Sequence, residues 1–174
     1  SACTSMVCGR PCSRTDDVIF RAKPPIRRTG KGIEVELGPD ERALLRALVE
    51  DLRGRLTDGA DHPDLRRLFP TAYHQDPERD AAYQILARSE LLDARLGAVE
   101  TMLGTLDARL LDDGQLQAWM TVTNQLRLVL GTIIDIGEDD EDDDLDPADP
   151  HDRQRLVYHW LTGVLALVVD AGLP

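Results

Sequence analysis

The chain has 174 residues, the length of one domain, and although 42% of them are hydrophobic only 4% are aromatic, so its core must be built from Leu, Val, Ile and Ala. That composition, with 30% charged residues, points to helices. It excludes a membrane span, for which a run of about 18 uncharged apolar residues is needed, and with a net charge of −12 it argues against a phosphate-binding body.

Residues 1–17 are rich in Cys, Ser, Gly and Asp without periodicity, which predicts a flexible tail ahead of a single helical domain over 18–174. Val18-Ile19-Phe20 and Ile33-Glu34-Val35-Glu36-Leu37 are expected to be two short strands of a hairpin spanning 18–37. The second alternates apolar and acidic residues. Pro24 to Gly32 is expected to be the loop between them, and so small a hairpin must pack on helices to persist.

Gly38-Pro39-Asp40-Glu41 is a helix start, with proline in the first turn and carboxylates at the positive end of the helix dipole. Leu44, Leu45, Leu48, Val49, Leu52 and Leu56 then mark one face of a helix to Thr57, and a short helical turn is expected within 63–73. Asp76-Pro77-Glu78 repeats the start signal. Ile85, Ser89, Leu92, Leu96, Val99, Leu103, Leu106 and Leu110 follow at alternating four and three, a seam that predicts a helix of about 30 residues and roughly 45 Å. Gly97 and Gly104, seven apart on it, suit a close helix crossing.

Asp112-Asp113-Gly114 caps a third helix, with Leu116, Trp119, Met120, Thr123, Leu126 or Arg127, Leu130 and Ile134 at helical spacing. An acidic loop, 137–149, contains seven acidic residues in succession and is expected to be solvated. Asp149-Pro150 opens the last helix, whose inward residues should be Leu156, Val157, Trp160, Leu161, Val164, Leu165 and Val168. The expectation is a mainly α fold, a bundle of about four main helices with a small N-terminal β-hairpin.

Charge divides the chain. Residues 1–32 carry Arg10, Arg14, Arg21, Lys23, Arg27, Arg28 and Lys31 against Asp16 and Asp17, whereas the remainder holds 13 basic and 30 acidic residues. Direct nucleic-acid binding is therefore expected only through this basic arm, which can equally lie on the protein's own acidic surface. The apolar last helix leaves room for self-association.

Cys3, Cys8 and Cys12 all fall in the first twelve residues. Cys8-Gly9-Arg10-Pro11-Cys12 has a spacing that a turn brings within disulfide reach, and Arg10 and Arg14 favour the reactive thiolate. A reversible redox pair and an inert tail with incidental cysteines stand level as readings, and zinc is weaker because a fourth ligand is missing. Asn124 and Arg127 share a helix face with Trp119 nearby. An arginine in an apolar helix needs carboxylate or carbonyl partners, which favours a role in helix register over a partner contact. Arg66 and Arg67 pose the same choice, with Arg67 expected to reach an acid. No nucleophile-elbow serine, His-Glu-x-x-His or phosphate loop is present, so neither catalysis nor a cofactor is expected.

Three blocks carry a family resemblance: Asp64-Leu65-Arg66-Arg67-Leu68-Phe69-Pro70 followed by Tyr73; Trp119 with Asn124-Gln125-Leu126-Arg127-Leu128-Val129-Leu130-Gly131; and Val157-Tyr158-His159-Trp160-Leu161. Their order and intervals resemble the actinobacterial AosR-like family of oxidative-stress regulators, long catalogued as a domain of unknown function. The resemblance runs from residue 33 to 170. It implies a helical cytosolic protein linked to transcriptional control, in which a cysteine pair senses oxidants and the protein then engages a sigma factor. Gln125 departs from the family pattern, which has an acid there, so any pairing of that acid with an arginine is altered. The alternative is a redox-independent adaptor or scaffold, for example in protein turnover.

Overall fold

The computed structural model describes residues 24–59, 62–70, 76–136 and 145–173. The cysteines, Val18–Phe20, Tyr73, His74 and the acidic run 138–144 lie outside the described residues.

The alternating segment supplies one strand of the described hairpin, and the other comes from the stretch expected to be a loop. Strand β1 (Ile26–Thr29) pairs antiparallel with β2 (Gly32–Val35), with Ile26 opposite Val35 and Thr29 opposite Gly32. The segment expected to be a loop thus holds the first strand among the described residues, and only Gly30 and Lys31 turn. Ile26, Ile33, Val35 and Leu37 are buried while Glu34 and Glu36 point outward, as the alternation requires. Arg27 supplies the rest, pairing across the strands with Glu34 and with Glu36 at 3.0 Å. A third strand, β3 (Leu110–Leu111), adds to the free edge of β2, so the sheet order is β1-β2-β3.

Helix α1 (Pro39–Asp58) begins where Gly38 and Pro39 place it. Glu41 Oε2 accepts the Gly38 N–H at 2.6 Å, and Leu45, Val49, Leu52 and Leu56 form the buried stripe. Leu44 faces solvent. Arg42, on the first turn, donates to the carbonyls of Leu37 (3.1 Å), Val35 (3.0 Å) and Leu106, and so fastens α1 to the sheet and to the chain beyond the next helix. A 3₁₀ turn, Pro63–Leu65, follows and buries Leu65.

Helix α2 (Pro77–Thr105) is 29 residues long, or about 44 Å. Val99 and Met102 are buried on it, and Leu92, Leu96 and Leu103 pack at the edge of the core. The seam ends sooner than its spacing implies. Leu106 is buried beyond the helix, and Leu110 is 46% exposed because its backbone has joined the sheet. Gly97 and Gly104 have open space where a Cβ would stand, so they mark no close crossing.

Helix α3 (Asp113–Ile133) opens with a reciprocal cap in which Asp112 and Gln115 each accept the other's backbone N–H, at 2.8 and 3.0 Å. It is the central element, packed on α2 and α4 (Pro150–Gly172) and touching α1, the 3₁₀ turn and the sheet. Leu116, Trp119, Val122, Leu126 and Val129 fill the core from one side, and Leu161, Val164, Val168 and Ala171 of α4 meet them. Leu156 of α4 is exposed, since it lies before the helix reaches the core. Four helices and a small antiparallel sheet among the described residues make this a mainly α fold. Among the described residues, no helix is long and apolar enough to cross a membrane.

Candidate protein-interaction surface

The polar residues on α3 divide by face. Trp119 is fully buried and donates its indole N–H to Thr105 Oγ1 at 2.8 Å, so it ties α3 to the end of α2. Arg127 points towards α4 and latches the two helices. Its Nε donates to Thr162 Oγ1 at 3.0 Å, its Nη2 donates to the Tyr158 hydroxyl at 3.3 Å, and its guanidinium lies 5.3 Å from the Tyr158 ring centroid. The expected carboxylate or carbonyl partner is replaced by two hydroxyls and an aromatic face. Two of its N–H groups are bonded in this way without a buried ion pair and its desolvation cost. Asn124 is exposed and turns to the other side.

Arg66 and Arg67 are both exposed on the turn that follows Leu65. Arg66 is the one that nears an acid, Asp135 at 3.7 Å, in a pair whose side chains are 60% and 90% exposed and which therefore contributes little. Arg67 instead lies over the bare backbone of Gly131, 3.3 Å from where a Cβ would be, so this glycine leaves room for the guanidinium. Arg27 and Arg28 of the N-terminal arm are engaged by the protein itself. Arg28 donates to Asp113 Oδ1 at 2.8 Å and to the Ala171 carbonyl at 2.9 Å.

Sequence reasoning did not single out a groove of about 420 Å³ that opens on the surface of α3 between α2 and α4. Met120, Leu128, Leu165 and Val169 form its apolar lining, and Arg95, Gln117, Thr121, Asn124 and Gln125 its polar part. Arg95 donates to the Leu68 carbonyl at 2.7 Å and stacks on Phe69 at 5.2 Å, but its Nε is buried without a hydrogen-bond partner. Burial pushes the pKa of its guanidinium below the ordinary value. Gln125 is 2% exposed, and neither its amide nitrogen nor its oxygen has a partner. A local signal for Gln125 existed, because it stands three residues after Val122 and four before Val129, at core spacing. Among the described residues no cluster of His, Cys, Asp or Glu is arranged to hold a metal.

Residues 22–172 match the family described as Domain of unknown function (DUF2017). The oxidative stress regulator AosR of Mycobacterium tuberculosis (strain ATCC 25618 / H37Rv) is 30% identical over 177 residues, covering 75% of this chain and 81% of that protein. The oxidative stress regulator AosR of Mycobacterium bovis (strain ATCC BAA-935 / AF2122/97) is similar to the same extent. No solved structure matches the chain. With nearly its whole helical body matched, the chain belongs to the DUF2017 family.

Proposed function

We propose that the protein is a cytosolic, non-enzymatic regulator of the oxidative-stress response that binds a transcription component, a sigma factor, and that Cys8 and Cys12 switch this binding. The observation that carries the reading is the similarity to the AosR regulators over three quarters of the chain. Two features support it. The Cys8–Cys12 spacing suits a reversible disulfide, in which two thiols give up two electrons and two protons to a peroxide that leaves as water. The helical body presents a surface groove in which aliphatic side chains adjoin polar ones, which suits recognition of another protein.

The test is an affinity pull-down from native cells with and without peroxide, using the full chain and a Cys8→Ser, Cys12→Ser double variant. Capture of a sigma factor that changes with oxidant for the full chain, and not for the variant, is the expected result. Capture that ignores oxidant in both would instead mark a redox-independent adaptor. Mass spectrometry of the oxidised full chain should show the Cys8–Cys12 disulfide, and unmodified thiols at both positions would remove the switch.

A further inference from the structure

Helix α4 carries no Asp, Glu, Lys or Arg from Leu156 to Val169, although 30% of the chain is charged. A helix without a charged face is ordinarily covered all round, yet this one turns a stripe outward. Thr162, Ala166, Val169 and Leu173, at intervals of four, three and four, are all exposed, Val169 by 39% and Leu173 by 59%. Beside the end of the stripe stands Asp170, exposed and in no ion pair among the described residues. The last turn holds no base, so Asp170 adds its charge to the negative end of the helix dipole. Arg28 of β1 reaches this end, donating to the Ala171 carbonyl at 2.9 Å, but its charge is shared with Asp113.

The complement of this surface lies just ahead of β1. Val18-Ile19-Phe20 is an apolar run that the described hairpin does not use, and Arg21 and Lys23 follow it with no acid among residues 18–23. Reach is sufficient. Pro24 stands four positions, at most about 14 Å, before Arg28, which itself touches α4. Six extended residues, 18–23, span up to about 20 Å. Tethering makes even a weak contact enough, because a short linker holds a segment at an effective concentration of about a millimolar. A second copy fits the stripe less well, since it brings a net charge of −12 against −12.

We propose that residues 18–23 of the N-terminal arm lie along the outward stripe of α4, with Val18, Ile19 and Phe20 on Ala166, Val169 and Leu173 and with Arg21 and Lys23 beside Asp170. Leu165 and Val169 of the same helix line the groove, so the arm that bears Cys8 and Cys12 is seated on the wall of that groove. Its position thereby couples oxidation of the cysteines to partner binding. That regulatory role rests on the redox switch proposed above; the contact itself does not.

The contact is tested in the Cys3→Ser, Cys8→Ser protein, with a nitroxide on Cys12 and ¹⁵N in the backbone. Paramagnetic broadening should be at least twofold greater for the amides of Ala166 to Leu173 than for those of Asp152 to Leu156, about 23 Å away at the other end of α4. The Ile19→Ser, Phe20→Ser double variant should abolish the difference, and so should Asp170→Lys. Asp170→Lys guards against misfolding, because a base at the negative end of the dipole should raise the melting temperature while repelling Arg21 and Lys23. Equal broadening at the two ends, or a difference that persists in both variants, overturns the contact. Broadening passed from nitroxide-bearing ¹⁴N protein to unlabelled ¹⁵N protein would make the occupant the arm of a second copy, which also overturns it.

The coupling is tested in the pull-down, where capture by Asp170→Lys should no longer change with peroxide. Capture that still follows oxidant in this variant overturns the coupling. If no partner is captured, the proposed function fails and the coupling with it, yet the nitroxide still decides the contact.

Discussion

The indole N–H of Trp119 donates to Thr105 Oγ1 at 2.8 Å, joining the first turns of α3 to the last turn of α2 across a stretch of chain that is otherwise strand and turn. Thr105 in turn donates to the Thr101 carbonyl at 2.8 Å, so the hydroxyl is used in both directions. Trp119→Phe keeps most of the packing but loses the bond and leaves a small void, and should cost about 1–3 kcal/mol. Trp119→Ala should cost about 3–5 kcal/mol. Urea unfolding of Trp119→Phe, Thr105→Val and the double variant measures the bond directly, with an expected coupling of about 1 kcal/mol. Strict additivity would show that the bond contributes nothing.

Arg42 does for the N-terminal half what Trp119 does for the centre. Its guanidinium bonds the carbonyls of Leu37, Val35 and Leu106, which lie at or just past the ends of β2 and α2. Arg42→Met retains the aliphatic stem and removes every donor, leaving partly buried carbonyls unpaired. A loss of about 2–4 kcal/mol is expected, with faster amide exchange in β2 and β3. Arg42→Lys cannot span three carbonyls with one ammonium and should recover only part of this. Exchange that stays slow in β3 for Arg42→Met would show that the strand does not depend on this anchor.

The elements that were legible in the chain are those whose signals are local. Gly38-Pro39, Asp112 with Gln115, and Asp149-Pro150 each start a helix where they stand, because caps and first-turn residues act within four positions. Strand β1 was not legible, since Ile26 is its one large apolar residue and its order comes from elsewhere. Arg27 reaches Glu34 on the next strand and Glu36 just past its end, and Arg28 reaches the Ala171 carbonyl 143 positions away. Strand β3 was hidden for a different reason. Leu106 and Leu110 continue the heptad spacing of α2, so the pattern carries on after the helix has stopped. The groove divides in the same way. Gln125 announces itself by core spacing, whereas Arg95 and Val169 meet it only through the packing of α2 and α4 on α3.

Glycines test backbone and packing separately. Gly97 and Gly104 sit in α2 with nothing within 4 Å of a Cβ, so alanine at each should raise stability by about 0.5–1 kcal/mol through helix propensity and a less free unfolded chain. Gly32 is the reverse case. Its φ of +128° is strained for any other residue, and a Cβ would stand 2.9 Å from the Leu111 carbonyl oxygen. Gly32→Ala should therefore cost more than about 1 kcal/mol and loosen the pairing of β2 with β3. Thermal unfolding of the three single variants checks the signs. A loss of stability in Gly97→Ala would reveal a contact on that face of α2.

The cap of α4 predicts a pH dependence. The Asp149 carboxylate accepts the N–H groups of His151 at 2.8 Å and Asp152 at 3.1 Å. The bonds from Asp152 and then His151 hold its carboxyl below the usual carboxylate range, because they favour the charged form. A group whose pKa is depressed on folding contributes its stabilisation fully above its unfolded value, about 4, and loses it as pH falls through the lower folded value. At neutral pH, Asp149→Ala should melt at a lower temperature than the parent. As pH falls below about 4 the parent protonates its own cap and the gap between the two curves should narrow. Asp149→Asn keeps a capping oxygen that does not titrate, so its advantage over alanine should persist in acid, when the aspartate's has gone. Melting followed by circular dichroism at 222 nm across this range is sufficient, and a parent-to-alanine gap that does not change with pH would show that the ionised carboxylate adds nothing to the cap.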